Sequence, residues 1–178
     1  MGLIDIDYFR RQPLGWKGAD SMPAETLQEA IDEASDYVED YLDIKVLERA
    51  YVERVVGKGG YTLMLDAYPI TDLVSVSYEG LSESGTHLNS DFLVHSDAGI
   101  IEWVNKMNYF RYDRIYVVSY TAGYETVPLP IRRAVALQTT QLLRPMYGGP
   151  QLDTPDIVPF ADEMIVNLLE RYRRKRLS

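Results

Sequence analysis

The sequence contains no cysteine. This absence excludes a disulfide framework, a zinc–thiolate site and catalysis by a thiol, and it is compatible with a reducing cytoplasm. The chain also lacks a run of about 18 consecutive apolar residues that could span a membrane. Its N-terminus, MGLIDIDYFRRQ, has neither the basic start nor the apolar stretch of a signal peptide. Together these absences predict a soluble chain that is not exported.

The composition is that of a folded protein with its own core. Hydrophobic residues make up 46% of the 178 residues, and fourteen residues are tyrosine. A chain of this length can remove roughly 70% of its unfolded surface from water, so no metal or disulfide is needed to hold it. Tyrosine also suits interfaces, because its ring buries a large area while its hydroxyl finds a polar partner. We expect residues 1–178 to form a single domain.

Charge is distributed unevenly along the chain. The formal net charge is −9, and residues 1–48 hold twelve acids against four bases. The C-terminus is basic instead, with Arg171, Arg173, Arg174, Lys175 and Arg176. Such polarity can steer assembly, since a basic tail attracts an acidic partner surface and an acidic face repels nucleic acid. The alternative is a solvated helix face and a solvated tail.

Hydrophobic periodicity divides the chain into four parts. Residues 1–20 show no sustained period and are predicted to form an N-terminal arm, whereas residues 21–45 show helical spacing with acids on the opposite side. Residues 46–122 alternate as β-strands do, and residues 128–178 return to a helical period that ends in the basic tail. The predicted fold is therefore α+β, a helical bundle of about three main helices with an inserted antiparallel β-sheet or hairpin lobe.

A defined corner separates the last predicted strand from the helix that follows it. Tyr116, Val118 and Tyr120 alternate along the chain as in a strand, and Gly123 then allows a turn. Pro128 and Pro130 stop the extended chain and fit the start of a helix. We expect Gly123, Pro128 and Pro130 to form a rigid structural corner.

Motifs that could carry chemistry are weak. Gly57–Gly60 follows a strand and contains a lysine, but a P-loop needs a different spacing and a following helix, so a hairpin turn is the better interpretation. His87 and His95 have aspartates near them in sequence, but no metal-binding spacing fixes their geometry. Adjacent carboxylates on a helix point about 100° apart and do not face each other across a cleft. We predict no enzyme, no catalytic residue, no cofactor and no metal.

The basic tail allows a second function. Five of the six residues from Arg171 to Arg176 are basic, with Tyr172 between them, and they could bind phosphates in a salt-dependent way, as a small phage or host nucleic-acid-binding factor would. The rest of the chain is strongly acidic, which argues against a dedicated nucleic-acid binder. Cations at the end of a helix also stabilise it through its dipole.

Four segments carry a resemblance to a known family. They are the end of the acidic helix at Val38–Leu42, the segment Leu63–Tyr78 with its Pro-Ile and Val-x-Val elements, the corner at Tyr120–Gly149, and the closing helix at Leu168–Arg174. In this order and spacing they resemble the head-tail connector proteins of tailed phages, also called head completion or adaptor proteins. Together they cover about residues 22–174.

The resemblance implies a structural virion protein, made in the host cytoplasm, that has no cofactor or catalytic residues and contacts no membrane. Family members form a homo-oligomeric ring, a dodecamer matched to the portal protein, and this ring extends the DNA channel and joins the head to a neck, stopper or tail-completion protein. On this basis we expect the basic tail to dock on the portal. We also expect DNA to pass a channel-facing acidic helix without specific binding; the residues concerned are Glu29, Asp32, Glu33, Asp36, Glu39 and Asp40.

Overall fold

The computed structural model describes residues 2–11, 20, 22–80, 84–147 and 157–173, with side chains at all of these except 145–147 and 157–162. The chain divides into two compact units. The helical unit comprises Met1–Asp43 and Thr126–Arg173, and the β unit comprises Ile44–Glu125. Our expectation of a single domain stays a prediction.

The helical unit is built from four α-helices: α1 (Ile6–Arg11), α2 (Ala24–Leu42), α3 (Leu129–Tyr147) and α4 (Ile157–Leu169). A 3₁₀ turn at Glu170–Tyr172 follows α4. α2 packs against α1 and α3, and α3 also packs against α4. Within the described residues, no helix combines the length and the apolar character that crossing a bilayer requires.

Helix α2 forms because its apolar residues recur every three or four positions. Leu27, Ile31, Ala34, Val38 and Leu42 are all fully buried, so one face of the helix lies in the core of the helical unit. The helix ends at Asp43, whose left-handed φ of 57° lets its N–H donate to the carbonyl of Asp40.

The β unit contains two antiparallel sheets. The larger sheet has the strand order β1–β7–β3–β4, and the smaller has the order β2–β6–β5. The strands are β1 (Arg49–Val56), β2 (Thr62–Met64), β3 (Ile70–Gly80), β4 (Ser84–His87), β5 (Phe92–His95), β6 (Ile100–Trp103) and β7 (Arg114–Ala122). Strand β7 lies between β1 and β3 and pairs with both, so it is a central strand of the larger sheet.

An aromatic cluster fills the core of the β unit. Phe110 is fully buried, and its ring contacts Phe92, Trp103 and Tyr116 at centroid distances of 6.0, 5.6 and 4.9 Å. Along β7, buried residues alternate with half-buried ones, as expected for a strand with one face on the core. These large rings remove much apolar surface from water, so the β unit has a core of its own.

The predicted helical bundle with a small inserted β lobe is wrong. The part of the chain that the structure describes has four α-helices and seven strands in two sheets, and the β unit is a substantial body rather than a hairpin insertion. The error has a physical cause. Helical periodicity is a local signal, whereas strand pairing joins residues far apart in sequence and leaves little local trace.

The predicted hairpin at Gly57–Gly60 is also wrong. Strand β1 pairs with β7 and β2 pairs with β6, so the two strands that flank this loop belong to different sheets. The loop backbone instead bonds the segment before β7: Gly59 N–H donates to Phe110 O at 2.7 Å, and Phe110 N–H donates to Gly60 O at 2.8 Å. The glycines of the loop and the alternating residues on either side of it predicted a turn. They did not show which strand each of the flanking strands pairs with.

A polar network lies beneath the contact between β1 and β7. The Tyr120 hydroxyl donates to Glu53 Oε2 at 2.7 Å and accepts from Ala67 N–H at 3.1 Å. Asp66 N–H donates to the same carboxylate oxygen at 3.0 Å. Burial, with the hydrogen bond to Glu53, raises the pKa of Tyr120 above its ordinary value. The network ties β1, β7 and the 66–67 loop together.

We expect Tyr120→Phe to lower the free energy of unfolding at pH 8 by about 1–3 kcal/mol, because it leaves Ala67 N–H without its acceptor. Since the pKa of Tyr120 is raised on folding, the unfolded chain loses this proton first, and the stabilisation falls once the pH rises above about 10. The difference between wild type and Tyr120→Phe should therefore shrink above pH 10, as measured by urea denaturation.

The matched control for this experiment is Tyr51→Phe. Its ring stacks on Tyr120 at 5.4 Å, but its hydroxyl accepts a hydrogen bond from the exposed Arg49 side chain and takes no part in the network. We expect this change to cost less than about 0.5 kcal/mol. A Tyr120→Phe protein as stable as wild type at pH 8 would contradict a structural role for the network.

Candidate interaction surfaces

The carboxylates predicted on the first long helix lie away from its buried face. Glu29, Glu33, Asp36 and Asp40 are exposed and recur at intervals of three or four residues, so they form one acidic stripe along α2. Asp32 and Glu39 are half-buried, and Asp32 accepts a hydrogen bond from Gln28 Nε2 at 3.1 Å. The acidic stripe is therefore a solvated anionic surface, and its position in a channel stays a prediction.

Two of the five tail cations lie within the described residues. The Arg173 guanidinium stacks on the Tyr41 ring at 5.5 Å, and Arg171 stacks on the neighbouring Tyr172 at 4.9 Å. The Tyr41 hydroxyl is 3.5 Å from Glu170 Oε2. These contacts join the end of α4 to the end of α2. Arg174, Lys175 and Arg176 lie outside the described residues, and docking on a portal stays a prediction.

The three corner residues have distinct local roles. Gly123 follows β7 with φ of 113°, a conformation that glycine alone adopts readily. The Pro128 carbonyl accepts from Arg132 N–H at 3.0 Å and so begins the hydrogen bonding of α3. Pro130 lies in the first turn of α3, where a missing N–H costs nothing. A rigid corner between two contacting parts stays a prediction.

An open cleft of about 200 Å³ lies at one side of the β unit, and it was not predicted. Its lining includes two buried polar atoms without a hydrogen-bond partner, His87 Nε2 and Trp103 Nε1. The two rings meet edge to face with centroids 4.8 Å apart. Desolvation by burial lowers the pKa of His87, with Asp91 opposing the shift, which favours the neutral ring near pH 7.

The cleft is small, and its two arginines have partners of their own. Trp103 offers an N–H donor, and the volume is smaller than the roughly 300–1,000 Å³ of sites for drug-sized ligands. Arg111 is held by a bidentate pair with Asp113, at 2.9 and 2.6 Å, and Arg114 stacks on the Tyr78 ring at 4.1 Å. These two cations are therefore already engaged by neighbouring side chains.

Exposed apolar side chains cluster in the loop beside the cleft. Met107 is 87% exposed, and Val104, Tyr109 and Tyr112 are also exposed. We call these four residues the loop patch. Apolar and tyrosine side chains in one loop mark surfaces that contact other proteins. The sequence signal was the density of aromatic residues between Trp103 and Tyr116.

Neither histidine belongs to a metal site among the described residues, which contain no group of three or more candidate ligands. His95 Nε2 instead lies 2.7 Å from Glu102 Oε2, and the same carboxylate pairs with Lys106. His87 stacks on Tyr78 with centroids 4.9 Å apart.

The family model for head completion proteins matches residues 3–141. The chain therefore belongs to the head completion protein family, and the resemblance seen in its sequence is confirmed. A comparison with curated proteins gives no significant match.

Solved structures with the same fold come from gene transfer agent (GTA) particles. A chain of the virion of a native GTA particle matches with a TM-score of 0.68 and 17% identity, covering 99% of this chain and 92% of that chain. A chain of the neck of an empty GTA particle, computed with C6 symmetry, has a TM-score of 0.64 and 16% identity, with coverage of 99% and 92%. One from the neck of a native GTA particle, computed with C12 symmetry, has a TM-score of 0.60 and 16% identity, with coverage of 97% and 90%.

Proposed function

We propose that this chain is a structural neck protein of a phage-like particle, which forms a homo-oligomeric ring beneath the portal protein. The ring, a dodecamer, extends the DNA channel and joins the head to the next neck, stopper or tail-completion protein. It is assembled in the host cytoplasm and ends in the virion. No catalytic step belongs to this function.

The observation that carries the proposal is the fold, taken together with family membership. Nearly the whole chain, 97–99%, aligns with components of GTA virions and necks, and the match includes both the helical and the β unit. The necks were computed with C6 and C12 symmetry, which supports a ring of identical copies. A chain that shares this fold and belongs to the head completion family fits the same position.

A ring of more than two copies needs two different complementary patches on each copy, because its head-to-tail interface is heterologous. The loop patch supplies one apolar surface, with Met107 and Tyr112 the most exposed of its members at 87% and 76%. Burying such side chains against a neighbour would stabilise the ring, and tyrosine and methionine are enriched in interfaces. In this proposal the loop patch contacts the adjacent copy.

The acidic stripe would line the DNA channel. DNA binding depends on cations that displace counterions from phosphates, and the stripe has only carboxylates. A channel with this lining lets DNA pass without holding it. The alternative function, a nucleic-acid-binding factor that uses the basic tail, predicts tight and salt-sensitive binding of duplex DNA by the purified protein.

Charge reversal of the tail tests portal docking. In the charge-reversed variant, glutamate replaces Arg171, Arg173, Arg174, Lys175 and Arg176. We expect incorporation of this variant into heads to fall at least about 10-fold, because the tail would no longer be attracted to an acidic surface of the portal. Quantitative mass spectrometry of purified heads measures this. Equal incorporation of variant and wild type would show that the tail does not dock on the portal.

Deletion of the gene in a particle-producing host tests the function as a whole. We expect heads that contain portal but carry no tail, with a loss of completed particles that is restored when the gene is supplied on a plasmid. Electron microscopy counts tailed and tailless particles in the two strains. Normal tailed particles in the deletion strain would contradict the proposal.

A further inference from the structure

His87 is the last residue of β4, the strand at one end of the larger sheet. Strand β4 has four residues and, within the described part of the chain, pairs with β3 alone. His87 lies opposite Val76 in this pair, and Val76 is fully buried in the core of the β unit. The place of β4 in the sheet therefore depends on few backbone bonds and on the packing of the His87 side chain.

Four aromatic rings pack against the imidazole of His87. Tyr78 and Tyr116 stack on it at centroid distances of 4.9 and 6.5 Å. Phe92 and Trp103 meet it edge to face at 5.9 and 4.8 Å. We call these four rings the aromatic box. Because the box is largely apolar, it suits a neutral imidazole better than a charged one.

The buried nitrogen of His87 cannot donate a hydrogen bond where it lies. Nε2 is buried and has no hydrogen-bond partner among the described residues. A neutral imidazole can carry its hydrogen on Nδ1 and leave Nε2 unprotonated, whereas both nitrogens of the charged ring are donors. Protonation would therefore bury a charged N–H group without an acceptor, which is unfavourable.

The other titratable and charged groups at this place do not offset that cost. They come from every element around the ring, and they are Asp91, Arg111, Arg114, Tyr78, Tyr109 and Tyr116. Arg114 lies over the Tyr78 ring at 4.1 Å, so protonation of His87 would place a second cation against that ring. Desolvation lowers the pKa of His87, and the attraction of Asp91 opposes this shift without reversing it.

We propose that His87 is an acid-sensitive switch, whose neutral ring holds β4 against β3 and whose protonated ring releases β4 from the sheet. In the released form the imidazole is in water, so it takes up a proton as the pH falls through its ordinary pKa of about 6.5. The stabilisation of β4 is therefore complete well above pH 6.5 and is lost below it. The switch lies within the β unit and does not depend on the proposed neck function.

Hydrogen exchange of the purified protein tests the switch. The readout is the protection factor of the β4 amides that bond β3, which corrects the exchange rate for the intrinsic effect of pH. An imidazole with an ordinary pKa is about ten times more often charged than neutral at pH 5.5. We expect the β4 protection factor to fall roughly 3- to 10-fold between pH 7.5 and pH 5.5, while that of the central strand β7 changes less than about 2-fold.

His87→Phe separates protonation of this ring from other effects of acid. Phenylalanine keeps a ring in the aromatic box but has no nitrogen to protonate, so its β4 protection should change less than about 2-fold between the two pH values. His95→Gln is the matched control, because His95 is the second histidine of the sequence and lies beside Glu102 in the smaller sheet. This control should keep the wild-type fall. No fall in wild type, or an equal fall in His87→Phe, would overturn the inference.

Titration of the histidine rings by NMR tests the wild-type protein without any substitution. We expect the His87 ring to titrate with a midpoint below about 6.5, and β4 to lose its protection over the same range of pH. A His87 ring that becomes charged while β4 stays fully protected would contradict the switch, whether or not His87→Phe folds.

Discussion

Gly123→Ala is expected to lower the free energy of unfolding by roughly 3 kcal/mol. At φ of 113° a side chain is strained, and strained backbone conformations cost about 1–3 kcal/mol each. A Cβ at this position would also lie 2.7 Å from Leu47 O and 2.8 Å from the Glu48 backbone, which belong to the main chain and cannot rotate away. The bonds made by the Tyr124 backbone to Val46 and Glu48 would then have to shift. Urea denaturation of the purified protein measures the loss.

Gly60→Ala is the matched control for this change. Beyond its two chain neighbours, its Cβ would meet no atom of the described residues closer than 3.9 Å, and the glycine has no positive φ. We expect its free energy of unfolding to stay within about 0.5 kcal/mol of wild type. Equal free energies of unfolding for Gly123→Ala and Gly60→Ala would contradict the close approach of Gly123 to the backbone of Leu47 and Glu48.

Reversal of the acidic stripe is expected to convert a surface that repels DNA into one that holds it. With Glu29, Glu33, Asp36 and Asp40 replaced by lysine, each phosphate that a lysine neutralises adds about 0.9 to the slope of log affinity against log salt. Proteins that bind DNA non-specifically have dissociation constants of about 10⁻⁴ M or below at physiological salt. We expect the wild-type protein to bind more weakly than this, so that no binding of duplex DNA is measured at 150 mM salt. The variant should bind, with affinity that falls steeply as salt rises.

A control variant separates the position of the charges from their number. Glu48, Asp72, Asp97 and Glu125 are exposed carboxylates of the β unit, and their replacement by lysine changes the net charge by the same amount. In particles, we expect the stripe variant to deliver DNA at least about 10-fold less well than this control, because a cationic lining holds the passing duplex. Equal delivery by the two variants would show that the stripe does not face the DNA path.

The helices could be read from the sequence because their signal is local. The apolar residues of α2, from Leu27 to Leu42, repeat at helical spacing, and the predicted helix at 21–45 contains the observed Ala24–Leu42. The residues that decide this helix are neighbours in sequence.

The sheets could not be read in the same way. Strand β1 pairs with β7, and the loop at Gly57–Gly60 bonds Phe110, so the decisive contacts join distant parts of the chain. Sequence alternation indicates that a strand exists but not which strand it pairs with. The structure therefore has two sheets with an aromatic core where the sequence predicted a small lobe.

The candidate surfaces also differ in whether one element or several elements form them. The acidic stripe follows from helical spacing on one element, whereas the cleft requires β4, β6 and β7 to bring His87, Trp103 and Tyr116 together. The position of β1 at one end of the larger sheet depends on the order of all four strands. Surfaces formed by one helix were accessible from the sequence, and surfaces formed by strand pairing were not.

The most direct test of the account is a cryo-electron microscopy reconstruction of the neck in particles assembled with this chain. We expect twelve copies in a closed ring between the portal and the next neck component, with the acidic stripe of α2 facing the DNA channel. A reconstruction in which the chain forms no ring, or lies away from the portal, would contradict the account.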